Sequence, residues 1–250
     1  STKFSTTPSE IGFKKYRAEI PIESNEFVKD NNSCFFTVNV IKKKDKLRVL
    51  FVQGFVGQEF KFFNNRAISV DPDLELISIS RTGPNTYYSG GVKDEREREA
   101  LAAGFPKDKE AIYRYDVIVF TDLTPNFFNA EQMNALVDFV KSHGGGFLAL
   151  GSGDIFKPVW NKTVIADMLP VVLEDDASLF KAVPTVTEGE NPFEFKIKIT
   201  PEGMSNEILE YEGDPTKDKE NWESLPSLLG YAPVKKAKPG ATVLAVHNKD

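Results

Sequence analysis

Ser152 carries glycine on both sides, in the turn Leu150-Gly151-Ser152-Gly153-Asp154. A serine there acts as a nucleophile when a sharp elbow exposes its oxygen beside free backbone N–H groups and a base stands within hydrogen-bond reach. The G-x-S-x-G form of that elbow needs glycine two residues before and two after the serine, and those positions hold Leu150 and Asp154. The spacing fails, so the turn reads either as a tight bend or as a nest of N–H groups able to hold an anion. His247, at the end of a strand-like segment, is the candidate base. His143 precedes Gly144 at a helix end, where a cation complements the helix dipole.

Other chemistries find little support. No paired carboxylates, metal-ligand spacing or Walker-type glycine loop occurs, and no cofactor or metal is expected. Gly144-Gly145-Gly146 enters a strand rather than a helix, which rules it out as a phosphate cradle. The single cysteine, Cys34, cannot form an internal disulfide and reads as a small buried hydrophobe. A net charge of -6 argues against nucleic acid, and the basic run Lys42, Lys43, Lys44 and Lys46 has no aromatic residue for base stacking, so it reads as a solvated linker. No run of about 18 apolar residues predicts a membrane span. The polar start, without an initiator methionine, fits a piece of a longer protein.

These residues must be positioned by a scaffold, and its pattern changes near residue 46. Residues 12–40 read as short β strands, with Tyr16, Ala18 and Ile20, then Cys34, Phe36, Val38 and Val40, alternating with their neighbours. Beyond them come an apolar strand over 47–52, a helix with Phe60, Phe63, Ala67 and Val70 on one face, and a second strand over 74–80. A polar loop over 81–91 carries Tyr87 and Tyr88, and a charged helix follows over 94–103. Residues 116–120 form a third strand. Asn129 and Gln132 open a helix striped by Met133, Leu136, Val137 and Val140, and residues 147–150 make a buried fourth strand. Further strands are expected over 193–199 and 242–247, with a polar stretch over 212–223 between them. Strands alternating with helices predict an α/β fold with a doubly wound, mainly parallel sheet over 46–250 and a short β segment over 1–45. Trp160 and Trp222, like the two tyrosines, read as packing residues or as anchors for a partner or a sugar.

In such a sheet ligands gather outside the carboxyl ends of the strands. The cleft candidates are Gln53, Gly54 and Glu59 after the first strand, Arg81 after the second, Asp122 after the third, and Gly151, Ser152 and Gly153 after the fourth. Glu59 also suits the first turn of its helix, and Asp122 the turn before Pro125.

The stretch Tyr115-Asp116-Val117-Ile118-Val119-Phe120, the helix through Glu131-Gln132, Gly144-Gly145-Gly146-Phe147-Leu148-Ala149-Leu150-Gly151, and Asp167-Met168-Leu169-Pro170-Val171 together resemble the class I glutamine amidotransferase-like domains of large bacterial surface and membrane proteins. Residues 12–40 are similar to the last strands of the immunoglobulin-like modules that often precede them. The resemblance implies a flavodoxin-like fold, an extracytoplasmic or periplasmic setting in a membrane-anchored parent, and a nucleophilic cysteine at the turn that here reads Gly151-Ser152-Gly153. It also implies a histidine followed two residues later by glutamate, where this chain has His247 and then Lys249. With both catalytic positions unmatched, the expected role is a noncatalytic binding or scaffold domain for a protein, glycan or small-molecule ligand. The alternative is a hydrolase or amidotransferase relative using Ser152 and His247.

Overall fold

Period-two alternation around Tyr16 and Phe36 builds an antiparallel ladder of β1 (Gly12–Glu19) and β2 (Ser33–Val40), with the two rings stacked at 5.5 Å. The computed structural model describes residues 6–8, 10–22, 26–27, 32–40, 46–55, 57–63, 65, 70–151, 154–180, 194–211 and 213–248. They divide into two units, Ser1–Asp45 and Lys46–Asp250. Cys34, expected to be buried, is exposed on this two-stranded ladder.

The second unit is mixed α/β and centres on β3 (Leu47–Gln53). After α1 (Gln58–Phe62) come β4 (Leu74–Gly83) and β5 (Thr86–Gly90), then α2 (Glu95–Ala102), α3 (Lys109–Ile112) and β6 (Val117–Thr121). Next follow α4 (Ala130–Lys141) and β7 (Gly146–Ala149). The sheet order is β5-β4-β3-β6-β7, parallel except for β5. Alternate side chains of the central strands serve opposite faces. Leu50, Val52, Ile77, Ile79, Ile118 and Phe120 enter a large core under α2 and α4, while Val49, Phe51, Leu76 and Val119 meet Phe60 and Phe63 on the other side. The remainder comprises α5 (Val164–Met168), β8 (Val171–Leu173), β9 (Ile197–Ile199), α6 (Pro201–Met204), α7 (Pro215–Ser224), β10 (Val234–Ala237) and β11 (Ala245–His247). β8 pairs with β10 and β9 with β11, both antiparallel. Among the described residues no helix is long and apolar enough to cross a membrane.

The amino end of the sheet is tied by charge. Arg48 Nη2 donates to both Glu97 carboxylate oxygens at 2.9 and 2.7 Å, and its Nε donates to Glu75 at 3.0 Å. Tyr115 donates its phenol proton to Glu97 at 2.7 Å and lies under the guanidinium. Burial disfavours the Arg48 charge, but Glu97, with Glu75 and Tyr115 adding to it, more than offsets that and the pKa is raised. Burial, then the bond to Glu97, pushes the Tyr115 phenol up. The bond from Lys93 holds Glu75 below its ordinary value against burial, with Arg48 adding to it. Asp138 on α4 is likewise held well below the carboxylate range, by Lys109 first and then by Tyr113 and Ser142.

Several expectations change. Arg81 to Gly91 is a hairpin rather than a loop: Asn85 adopts φ 56°, which its short side chain tolerates, and returns the chain as β5. Val70 is exposed in a turn rather than on a helix face, because α1 is short and Asp71-Pro72 follows; Ala67 lies outside the described residues. β7 is only partly buried, since it pairs with β6 alone and leaves Leu148 42% exposed. The polar stretch over 212–223 contains α7, started by Asp214 accepting from the N–H groups of Thr216 and Lys217 and by proline in its first turn.

Because the folded pKa values of Glu75 and Asp138 are depressed, each contributes stability in full above the unfolded carboxylate value of about 4, and loses it as pH falls through the folded value. The thermal midpoint should therefore drop on acidification below about pH 4. The Glu75→Gln/Asp138→Asn double variant should melt lower at neutral pH and show a flatter acid limb; an equally steep limb would place the dependence elsewhere.

Candidate functional site

Three parallel strands carry polar residues at one level, which is the last residue of β3 and of β6. Gln53 stands opposite Ser80 on one side and Thr121 on the other. All three belong to the face of the smaller core, two residues beyond Phe51, Ser78 and Val119, and all are buried. Gln53 Nε2 donates to Ser80 Oγ at 2.5 Å, while Gln53 Oε1 is buried without a hydrogen-bond partner. Reversing the amide would exchange the two atoms and still leave one of them unpaired.

This row lies where the winding reverses. β3 leads to β4 on one side, and β6 leads to β7 on the other, so the connections part above Gln53 and Thr121. Gly54 closes the gap: a Cβ there would stand 1.9 Å from the Asp122 carbonyl oxygen, so only glycine allows this approach. The Gly54 N–H donates to Thr121 O at 3.3 Å. Asp122 takes a left-handed φ of 52°, and Thr121 Oγ1 donates to its carboxylate at 3.4 Å.

A second feature opens beyond β7. Leu150 N–H donates to Phe120 O, extending the ladder by one residue before the chain leaves the sheet at Gly151. Gly151 and Phe156 then face the strand pairs β8–β10 and β9–β11 across a pocket of about 570 Å³. Phe195, Leu228, Tyr231 and Val243 give it an apolar wall, and among the described residues Tyr231 and His247 are its polar side chains. The His247 ring stacks on Phe195 at 4.3 Å and leans on Tyr231 at 5.0 Å. Pairing of His247 with Ile197 across β9–β11 sets this arrangement.

The residues singled out from sequence thus fall in two places. Gln53, Gly54, Arg81 and Asp122 occupy the carboxyl edge, whereas Gly151 and His247 share the pocket. Ser152, Gly153 and the Glu59 side chain lie outside the described residues; the Glu59 backbone is in the first turn of α1. His143 sits just past α4 and stacks on Tyr113 at 4.1 Å. Trp160 is fully buried, and its indole N–H donates to Leu123 O and Asp154 O, whereas Tyr88 is exposed. Sequence reasoning missed Ser80, Thr121, Phe195 and Tyr231. Ser80 was the last residue of its expected strand and Thr121 followed the end of the strand expected over 116–120, and only register reveals that they meet Gln53. Among the described residues no group of His, Cys, Asp and Glu could hold a metal ion.

Compared with models of protein families, with curated proteins and with solved structures, the chain matches none. The functional reading therefore rests on residues and geometry.

Ser80→Ala should cost about 1–3 kcal/mol, because it leaves the whole Gln53 amide buried and unpaired, whereas Gln53→Leu with Ser80→Ala should recover most of that loss. Denaturant unfolding of the two variants checks this; equal losses would mean that the amide is satisfied in solution.

Proposed function

We propose that Lys46–Asp250 is a noncatalytic binding domain of a larger bacterial envelope protein, built on a class I glutamine amidotransferase-like, flavodoxin-like scaffold. It holds an apolar small molecule or an apolar segment of a protein partner in the pocket between Gly151 and His247. The pocket carries this reading. Its volume of about 570 Å³ lies within the range of roughly 300–1,000 Å³ common to ligand sites, and its wall combines apolar surface with a few polar groups that fix orientation. An imidazole stacked on Phe195 and beside Tyr231 offers a flat, mostly apolar wall with one polar edge. The sheet order supports the scaffold reading, since a central first strand with crossovers to both sides is compatible with flavodoxin-like winding. The missing cysteine at the turn after β7 supports the noncatalytic part.

An anilinonaphthalene dye, used as an apolar probe, should bind saturably with one site per chain. Phe195→Leu and His247→Ala should each weaken it by about tenfold, near 1.4 kcal/mol, with both variants folded by circular dichroism. Absence of saturation, or equal affinity in both variants, would overturn the reading.

One observation favours the enzymatic alternative: Gly151, the neighbour of Ser152, lines the same pocket as His247. In that case Ser152 Oγ would attack an acyl carbon while His247 takes its proton; the bond to ammonia or nitrophenol would break, the proton leaving with that group, and water would later release the acyl group as a carboxylic acid and restore the serine. Glutamine and an activated ester such as p-nitrophenyl acetate are the substrates to test. The binding-domain reading expects neither ammonia nor nitrophenol above background; turnover lost in both Ser152→Ala and His247→Ala would establish the alternative.

A further inference from the structure

Arg81 stands apart from the other described arginines. Arg48 is partly buried and paired with two carboxylates; Arg17 and Arg98 have carboxylate partners at the surface, and Arg96 and Arg114 are exposed. Arg81 is partly buried yet makes no ion pair among the described residues. Its Nε is buried without a hydrogen-bond partner, and its Nη2 makes one long bond, 3.4 Å to Asn126 O. Burying an unpaired charge is costly, and no carboxylate offsets that cost here.

The surroundings hold the guanidinium without neutralising it. Its carbon lies 4.7 Å from the Phe127 ring centre and 5.8 Å from that of Tyr87, and the two rings meet edge to face at 5.5 Å. Phe127 belongs to the short turn Pro125–Phe127 after β6, and Tyr87 stands opposite Arg81 across the β4–β5 hairpin. Two strand ends therefore converge to fix the plane of one cation, while its hydrogen-bonding edges remain nearly unused. Aromatic faces stabilise a guanidinium without consuming its N–H groups, and those N–H groups form a fork that fits a planar carboxylate. The position is at the carboxyl edge of the sheet, where α/β folds receive ligands.

We propose that Arg81 is an anion receptor for a ligand carboxylate, at a site separate from the pocket beside His247. A carboxylate suits it better than a phosphate. One fork matches one planar monoanion, whereas a phosphate dianion would meet a single described cation in a chain of net charge -6.

The test uses the whole chain and the side-chain Nε–H signal of Arg81 in nitrogen-15 NMR, assigned by its loss in Arg81→Lys. Acetate and inorganic phosphate are titrated separately at constant ionic strength, with chloride as the balancing ion. Acetate should shift the signal along a saturating curve and bind more tightly than phosphate. Arg81→Lys, followed through the backbone amides of Asn126 and Phe127, should bind acetate more than tenfold more weakly, because the charge remains while the fork is lost. A signal unmoved by acetate, a shift that never saturates, tighter binding of phosphate, or full affinity in Arg81→Lys would each overturn the proposal. The parent titration decides the matter even if the variant folds poorly. Dye binding beside His247 should be unaffected by acetate, so failure here and failure of the pocket reading are separate results.

Discussion

β3 is hydrogen-bonded on both sides and buried on both faces, and the remaining strands of the sheet take their places from it. Its amino end is anchored by Arg48, whose backbone N–H donates to Asp116 while its side chain reaches Glu75 and Glu97. One residue thereby ties the starts of β4 and β6 and the first turn of α2 to the same point. A buried charge is tolerated there because each side of it meets a carboxylate or an aromatic face. With the amino end fixed, β3 and β6 run out together, and Gln53 and Thr121 come level with Ser80 of β4 at the opposite edge.

At that opposite edge the rules of polar satisfaction are relaxed. Gln53 Oε1 and Arg81 Nε are the buried unpaired side-chain atoms of the sheet among the described residues, and they stand on opposite faces one residue level apart. The amino end carries a dense set of paired charges. The two ends of the sheet thus differ in kind: paired charges at the amino end, unpaired buried polar atoms at the carboxyl end.

Much of the sheet was legible in the sequence because its signals are local. The capping box at Asn129 and Gln132 forms as its spacing predicts, and the apolar runs of β3, β4 and β6 are where periodicity places them. The hairpin was hidden because Tyr87 and Tyr88 supply too short an alternation to outweigh Gly83-Pro84 and Gly90-Gly91. α7 was hidden because it is polar and its start depends on a cap rather than a stripe. The site was less legible than the fold. Gln53, Arg81, Asp122 and Gly151 follow from strand ends alone, but the partner of Gln53 is a matter of register, and the wall around His247 is assembled from segments that meet through the β9–β11 pairing and the Phe195–Leu228 bridge. Long-range pairing leaves little trace in the residues of either partner.

Gly145 shows how a conspicuous run of letters can be silent about chemistry. A methyl group at that position would sit about 2 Å from the Phe139 ring, so the helix and the following strand approach as closely as they do only because the side chain is a hydrogen atom. Any descendant that keeps this aromatic against this strand must keep the glycine, whatever happens at the turn that starts six residues later. A comparison keyed on the triple glycine would therefore gather proteins by how tightly a helix nestles.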